Sequence, residues 1–263
     1  MEGTLSLISL VVRPSVVRLV WMGGPDMPFT SPAVPLTYAD GNLRVRYLQR
    51  VAAITVLGLF IAGVTGVFSS GVIALVPALQ NRLASFVIIM GGMGVANWVA
   101  PRFVFSASAP ARWGGFLLGT AAEGVALGYL LLTAFVLGAQ SGNPLLLVAQ
   151  AMGLTGLAAA GMTAYLWTSP RDFSMVRAGL AALAIPMLVL MVLSFVFPIS
   201  GTIGILMSLA FVAMSVGGLL YKVNDVLHRL QSDMYVEGAY TITLGILALF
   251  WNILVLLMRL QRR

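Results

Sequence analysis

An acidic side chain inside an apolar run is the first candidate for chemistry in this sequence. Glu123 lies near the middle of the run Trp113–Gly138. Because an ionised carboxylate is costly to hold in a bilayer, such a residue should face the protein interior, pair with another group or carry a proton. Two interpretations stay open: an ion or proton site, or a neutral Glu123 that hydrogen-bonds to a neighbour such as Thr120.

A second candidate is the most polar patch of the chain, which lies between its last two apolar runs. Asp225 has Lys222 three residues before it and Arg229 four residues after it, so either cation can reach the carboxylate on one helix face. A local surface ion pair is one interpretation. The other is a latch between helices, in which Asp225 pairs with Arg102 until the carboxylate takes up a proton. His228, the only histidine, would add sensitivity near neutral pH.

Composition requires that these residues be positioned by membrane helices. The chain is 60% apolar and 9% charged, against roughly 25% charged residues in a soluble domain, so the bilayer must be the solvent. Its net charge of +7 comes mostly from arginines at the ends of apolar runs, which indicates membrane topology rather than nucleic-acid binding. The absence of cysteine, the single histidine and the lack of hydrolase or phosphate-loop motifs argue against an enzyme or a bound cofactor.

The predicted architecture is all-α, with an N-terminal arm over 1–48 and a membrane domain over 49–263. Each of seven apolar runs is long enough to cross a bilayer, and there the backbone must satisfy its own hydrogen bonds, which favours helices. Gly115-x-x-x-Gly119 and Gly124-x-x-x-Gly128 predict close helix packing. The seven predicted spans are Val51–Gly71, Leu83–Ala100, Trp113–Gly138, Leu145–Thr168, Ala178–Pro198, Thr202–Tyr221 and Ala239–Met258.

The arginine distribution predicts the orientation of these spans. With the N-terminus in the cytoplasm, eleven cations fall on the inner side and four on the outer side. The arginines that follow the seventh span are the exception, and we expect that span to cross and leave them outside. Helical spans together with a strong preference for arginine over lysine point to the cytoplasmic (inner) membrane of a bacterium.

Four local patterns carry a family resemblance. Ala121–Gly128 contains Glu-Gly-x-x-x-Gly, and Thr168–Ser174 contains Arg-Asp-Phe-Ser. Tyr221–His228 ends the sixth span, and Ala239–Leu260 has the apolar pattern of a seventh helix that ends in Leu-Arg. In order and spacing, over residues 45–260, they resemble the transmembrane Bax inhibitor motif family, which includes bacterial YccA-like proteins. The resemblance implies a seven-helix bundle with the seventh helix at its centre.

The same resemblance implies two functions. Some members are pH-sensitive calcium leaks, whose sensor is a pair of aspartates; others restrain membrane proteases or suppress cell death. Asp225 corresponds to the first aspartate, but the second falls at Gly245 and the asparagine of that helix at Ala248. Glu237 could take the place of the missing second aspartate only if the seventh helix were shifted. The hypotheses are therefore a leak with calcium as the permeant ion and with Asp225, Arg102 and Glu123 as gating residues, or a non-conducting regulator that binds other membrane proteins.

Overall fold

The computed structural model describes residues 41–168, 201–231 and 233–262, which all fall in one compact unit, Ala33–Arg263. The first helix begins at Gly41, so the end of the predicted arm is already helical. Residues 1–40, the Arg-Asp-Phe-Ser motif and the predicted fifth span Ala178–Pro198 lie outside the described residues.

The described part of the chain is helical. A 3₁₀ turn, Pro77–Gln80, precedes α2, and a π-helical turn, Val95–Val99, joins α2 to α3, so that α2, this turn and α3 together make the second predicted span. The helices are α1 (Gly41–Leu75), α2 (Arg82–Gly94), α3 (Ala100–Val104), α4 (Ala109–Gln140), α5 (Leu146–Thr168), α6 (Gly201–Arg229) and α7 (Tyr235–Gln261).

Five helical stretches are long and apolar enough to cross a membrane, and a sixth, Leu146–Met162 of α5, is apolar but shorter. The protein is thus an all-helical, multi-pass membrane protein in its described part. The count of seven spans stays a prediction. The five longer stretches are Val45–Leu75, Leu83–Val104, Ala109–Gln140, Gly201–Leu227 and Tyr235–Gln261.

Several predicted span ends are wrong, and two of them bear on the candidate site residues. Pro101 does not end the second span, because the π-helical turn continues into α3, in whose first turn Pro101 lies, and the helix extends to Val104. The sixth span does not end at Tyr221 either: α6 continues through the polar patch to Arg229. Lys222 and Asp225 therefore lie on a helix that is continuous with the membrane span.

Small residues allow close contact between α1 and α4. A Cβ placed on Gly124 would overlap the Thr65 hydroxyl and lie 2.5 Å from the Ala62 carbonyl oxygen, so the two backbones touch at this point. The last helix, α7, packs against α1, α3, α4, α5 and α6. Because α4 contacts as many of the described helices, namely α1, α2, α3, α5 and α7, the central position of the last helix stays a prediction.

Hydrogen bonds and an ion pair define two ends of the bundle. At one end, which we call the α6–α7 end, Tyr47 donates to the Met234 carbonyl and Arg112 contacts Glu237. These contacts bring together the start of α1, the α3–α4 connection and the α6–α7 connection. At the opposite end, Arg259 donates to the Gly204 carbonyl, which joins the end of α7 to the start of α6. The α7 helix therefore runs from one end of the bundle to the other.

Candidate functional site

The interior of the bundle contains a carboxylate at the place the sequence indicates. Glu123 lies on α4 with 4% of its surface exposed, among the buried glycines and alanines of that helix. Thr120 is not its donor, because the Thr120 hydroxyl donates to the Phe116 carbonyl at 2.7 Å. Glu123 Oε2 is buried without a hydrogen-bond partner among the described residues. The carboxylate thus keeps an acceptor position unused.

Lys222 of α6 provides the opposite charge. The Lys222 side chain is partly buried, and its charge interacts electrostatically with Glu123, although no direct ion pair joins the two among the described residues. Its stem crosses α7 at Gly245, where a Cβ would lie 3.2 Å from Lys222 Cδ. The position at which the family resemblance expects a second aspartate is therefore covered by a lysine side chain.

Tyr240 of α7 borders the same cluster and supplies a hydrogen-bond donor to the π-helical turn. The Ala100 N–H bonds to the Val95 carbonyl in the π pattern, and Pro101 has no N–H to give the next carbonyl, that of Ala96. The Tyr240 hydroxyl donates to that carbonyl in a buried contact. Its ring is close enough to Glu123 for an electrostatic interaction. The polar interior thus continues from α4 to the π-helical turn.

A second buried carboxylate lies at the α6–α7 end. Glu237, 1% exposed, has its Oε1 3.3 Å from Nε of Arg112, which is 23% exposed. The same Nε donates to the Ser106 carbonyl at 2.9 Å, so the guanidinium is held by the α3–α4 connection. This ion pair fastens the start of α7 to the start of α4. Its carboxylate is also near the positive end of the α7 helix dipole, which favours negative charge.

A polar contact further along α7 joins it to α6. Asn252 donates through Nδ2 to the Ser215 hydroxyl oxygen at 2.6 Å and to the Ala248 carbonyl at 2.9 Å. Asn252 lies one turn after Ala248, the position at which the family resemblance expects an asparagine. Such contacts between membrane helices stabilise their packing by about 0.6 kcal/mol on average.

The remaining predicted site residues are placed as follows. Arg102 exposes its side chain at the end of the second span, and within the described part of the chain no ion pair joins it to Asp225. Asp225, partly buried, has its Oδ1 3.5 Å from the Tyr221 hydroxyl. His228 and Arg229 belong to the last turn of α6, and their side chains lie outside what the structure describes. The gating roles of these four residues stay predictions.

Sequence reasoning missed the Arg112–Glu237 pair and the Tyr240 contact. A signal for the first was present: each residue stands at the start of an apolar helix, and both starts belong to the same predicted side of the membrane. Among the described residues, no group of three or more histidine or acidic side chains could hold a metal ion. The arrangement compensates buried carboxylates with cations of the chain itself.

Two comparisons with known proteins bear on this arrangement. The chain is similar to the Golgi anti-apoptotic protein of Vaccinia virus strains Lister and LC16m0, with 34% identity over 110 residues, which is 42% of this chain and 46% of each relative. The chain spans about half the length of these relatives. Residues 44–263 match the family model of the inhibitor of apoptosis-promoting Bax1. The match covers every described helix except the first residues of α1, and the chain belongs to the Bax inhibitor family.

Proposed function

We propose that this chain is a non-conducting membrane regulator that acts by binding other membrane proteins, such as a membrane protease or a larger membrane complex. One observation carries the proposal: each of the two nearly fully buried carboxylates in the described bundle interacts with the charge of a cation of the chain. Glu123 interacts with Lys222, and Glu237 pairs with Arg112. Members of this family are not known as enzymes, and no catalytic step is part of the proposal.

The electrostatics of the interior support this choice. Calcium requires several anionic or carbonyl oxygens around it, and a positive charge that acts on the carboxylate opposes its entry. Two unit charges about 6 Å apart interact by about 3 kcal/mol at an effective dielectric constant of about 20, and a divalent ion doubles that figure. Lys222 therefore opposes the attraction that Glu123 alone would exert on calcium.

The relatives and the surface charge support a regulatory role. The viral relatives carry the name anti-apoptotic, and we propose a restraining activity on other membrane proteins here. We place the protein in a bacterial cytoplasmic membrane with its α6–α7 end in the cytoplasm. Exposed Arg46, Arg50 and Arg102 lie at or near that end, as the positive-inside rule requires.

A second candidate function is a pH-responsive calcium leak. The unused acceptor Oε2 of Glu123 favours it, as does the position of Asp225 in the last turn of α6. In that case protonation of Asp225, with a contribution from His228, would change the contacts of α6. Arg102 would be the cation that pairs with Asp225 until that protonation breaks the pair.

Calcium flux separates the two candidates. The protein is reconstituted into liposomes loaded with a calcium dye, and influx is followed across pH values of about 6 to 8, the range in which a histidine titrates. We expect no influx above that of protein-free liposomes, from protein shown to be helical and monodisperse. A pH-dependent influx that Asp225→Asn changes would establish the leak and contradict the regulator. Lys222→Arg, which keeps the interior charge, is the matched control variant.

A further inference from the structure

A cavity of about 650 Å³ lies at the end of the bundle opposite the α6–α7 end. It is bounded by the last turn of α1, the first turn of α2, the second half of α4 and the residue that follows α7. Part of its lining is aliphatic, and the rest is polar. The polar side chains are those of Gln80, Ser85, Tyr129, Thr133, Gln140 and Arg262. The cavity therefore suits a ligand that is polar at one end and apolar at the other.

Hydrogen bonds hold the wall of this cavity in shape. The Gln80 side-chain amide donates to the Ile73 and Ala74 carbonyls at 3.2 and 3.0 Å, which satisfies the end of α1. The Tyr129 hydroxyl donates to the Leu79 carbonyl, so the connection between α1 and α2 is fixed to α4. A ligand would thus meet a site that is already formed, as most ligand pockets are.

Positive charge dominates this end of the bundle. Arg262 lines the cavity, and Arg259 lies one turn before it, with its guanidinium on the Gly204 carbonyl. The acidic residues that the structure describes lie elsewhere, in the interior of α4 or at the α6–α7 end. Accordingly, no ion pair within the described part of the chain involves Arg262. Its guanidinium is a planar fork of N–H donors that matches the oxygens of a phosphate group.

We propose that this cavity binds an anionic phospholipid of the surrounding membrane. The lipid phosphate contacts Arg262 and the side-chain amide of Gln140, which is exposed at the end of α4. The glycerol and the first acyl carbons lie against Leu132 and Val136, which line the cavity further along α4. This binding goes beyond the proposed function, because it does not depend on whether the chain conducts.

The depth of the cavity favours a lipid over a free phosphate ion. Between Gln140 and Leu132, α4 rises about 12 Å, whereas the headgroup region on each side of a bilayer is about 5–8 Å thick. The lining thus continues from headgroup depth into the hydrocarbon. A free phosphate ion would use the polar part alone and would leave the aliphatic part unexplained.

The test is lipid binding to the chain in micelles of an uncharged detergent, with native mass spectrometry to count bound lipids. Phosphatidylglycerol is compared with phosphatidylcholine of the same acyl chains, whose choline group removes the net charge. We expect the parent to prefer phosphatidylglycerol, and Arg262→Gln to weaken that binding by about tenfold or more, because a charge-assisted hydrogen bond is lost. Arg46→Gln, which removes the charge of an exposed arginine near the α6–α7 end, should leave the binding unchanged.

A second pair of variants tests the cavity itself without a change in charge. Ala74 is exposed and lines the cavity, so Ala74→Trp places a ring in the space that the lipid would take. Ala149 is exposed on α5, which does not contribute to the lining, and Ala149→Trp is the matched control. We expect Ala74→Trp to weaken phosphatidylglycerol binding several-fold and Ala149→Trp to leave it unchanged.

Three results would overturn the inference. A parent protein that binds both lipids equally would have no site for an anionic headgroup. Equal losses in Arg262→Gln and Arg46→Gln would show a general attraction between positive and negative charge rather than a site in the cavity. Displacement of phosphatidylglycerol by millimolar inorganic phosphate would identify a soluble anion, not a lipid, as the ligand. None of these results concerns calcium flux, so each leaves the proposed regulator function standing.

Discussion

The Arg112–Glu237 pair illustrates how single charges stabilise this bundle. Removing one partner of a buried ion pair leaves the other uncompensated, at a cost of about 3–5 kcal/mol for a fully buried pair. Arg112 is 23% exposed, so water offsets part of that cost. We predict that Arg112→Gln lowers the free energy of unfolding in mixed micelles by about 2 kcal/mol. Arg102→Gln, which removes an exposed arginine, should change it by less than about 0.5 kcal/mol, and equal effects would contradict the pair's role.

At the level of residues, the sequence predicts which side chains matter better than it predicts their partners. Glu123 stands out because it interrupts an apolar run, and the structure does bury it. Its interaction with Lys222 could not be predicted, because sequence spacing assigns that lysine to Asp225 on the same helix. Both Arg102 and Arg112 belong to one predicted side. Which of them meets a carboxylate depends on helix rotation, and the π-helical turn before α3 changes that rotation.

At the level of elements, the stability of the second span depends on a hydrogen bond that another helix, α7, donates. Its π-helical turn leaves the Ala96 carbonyl without a backbone donor, and Tyr240 supplies the missing hydrogen bond. We predict that Tyr240→Phe lowers the free energy of unfolding by about 1–3 kcal/mol, the cost of an unsatisfied buried acceptor. Tyr235→Phe is the control. The described contact of Tyr235 is made by its ring, whose centroid lies 5.9 Å from Arg50 Cζ, and phenylalanine keeps that ring. A Tyr240→Phe protein as stable as this control would contradict the argument.

The contact between α1 and α4 depends on glycines that leave no space for a side chain. A Cβ on Gly124 would overlap Thr65 and the Ala62 backbone, whereas one on Gly114, on the same helix, meets nothing within 4 Å. Gly124→Ala should therefore lower the free energy of unfolding by about 1–3 kcal/mol or more through overpacking. Gly114→Ala should leave it unchanged or raise it by up to about 1 kcal/mol, since alanine favours a helix. Equal changes in the two variants would mean that helix propensity, rather than close packing, determines the change in the free energy of unfolding.

The positions of the described spans follow from apolar runs of about 20 residues, because a bilayer imposes that length. Their ends do not, because hydropathy falls where the polar patch begins while the backbone of α6 continues to Arg229. Likewise, Pro101 ends an apolar run without ending a helix, since the Tyr240 hydroxyl supplies the donor that the missing N–H of Pro101 does not. An element is therefore longer than its apolar run wherever its polar end packs on other elements.

The orientation of the whole molecule is open to a direct test, since the chain contains no cysteine and one can be introduced at each end. Gln231 is exposed in the α6–α7 connection, and Gln140 is exposed at the end of α4, which belongs to the opposite end of the bundle. Because exposed arginines lie near the first end, the positive-inside rule places it in the cytoplasm. A membrane-impermeant maleimide should therefore label Gln140→Cys in intact cells and Gln231→Cys only in inverted membrane vesicles. Permeabilised membranes, in which both variants should react, control for access. The reverse pattern would place the α6–α7 end, with its Arg112–Glu237 pair, outside the cell and would contradict the proposed cytoplasmic orientation.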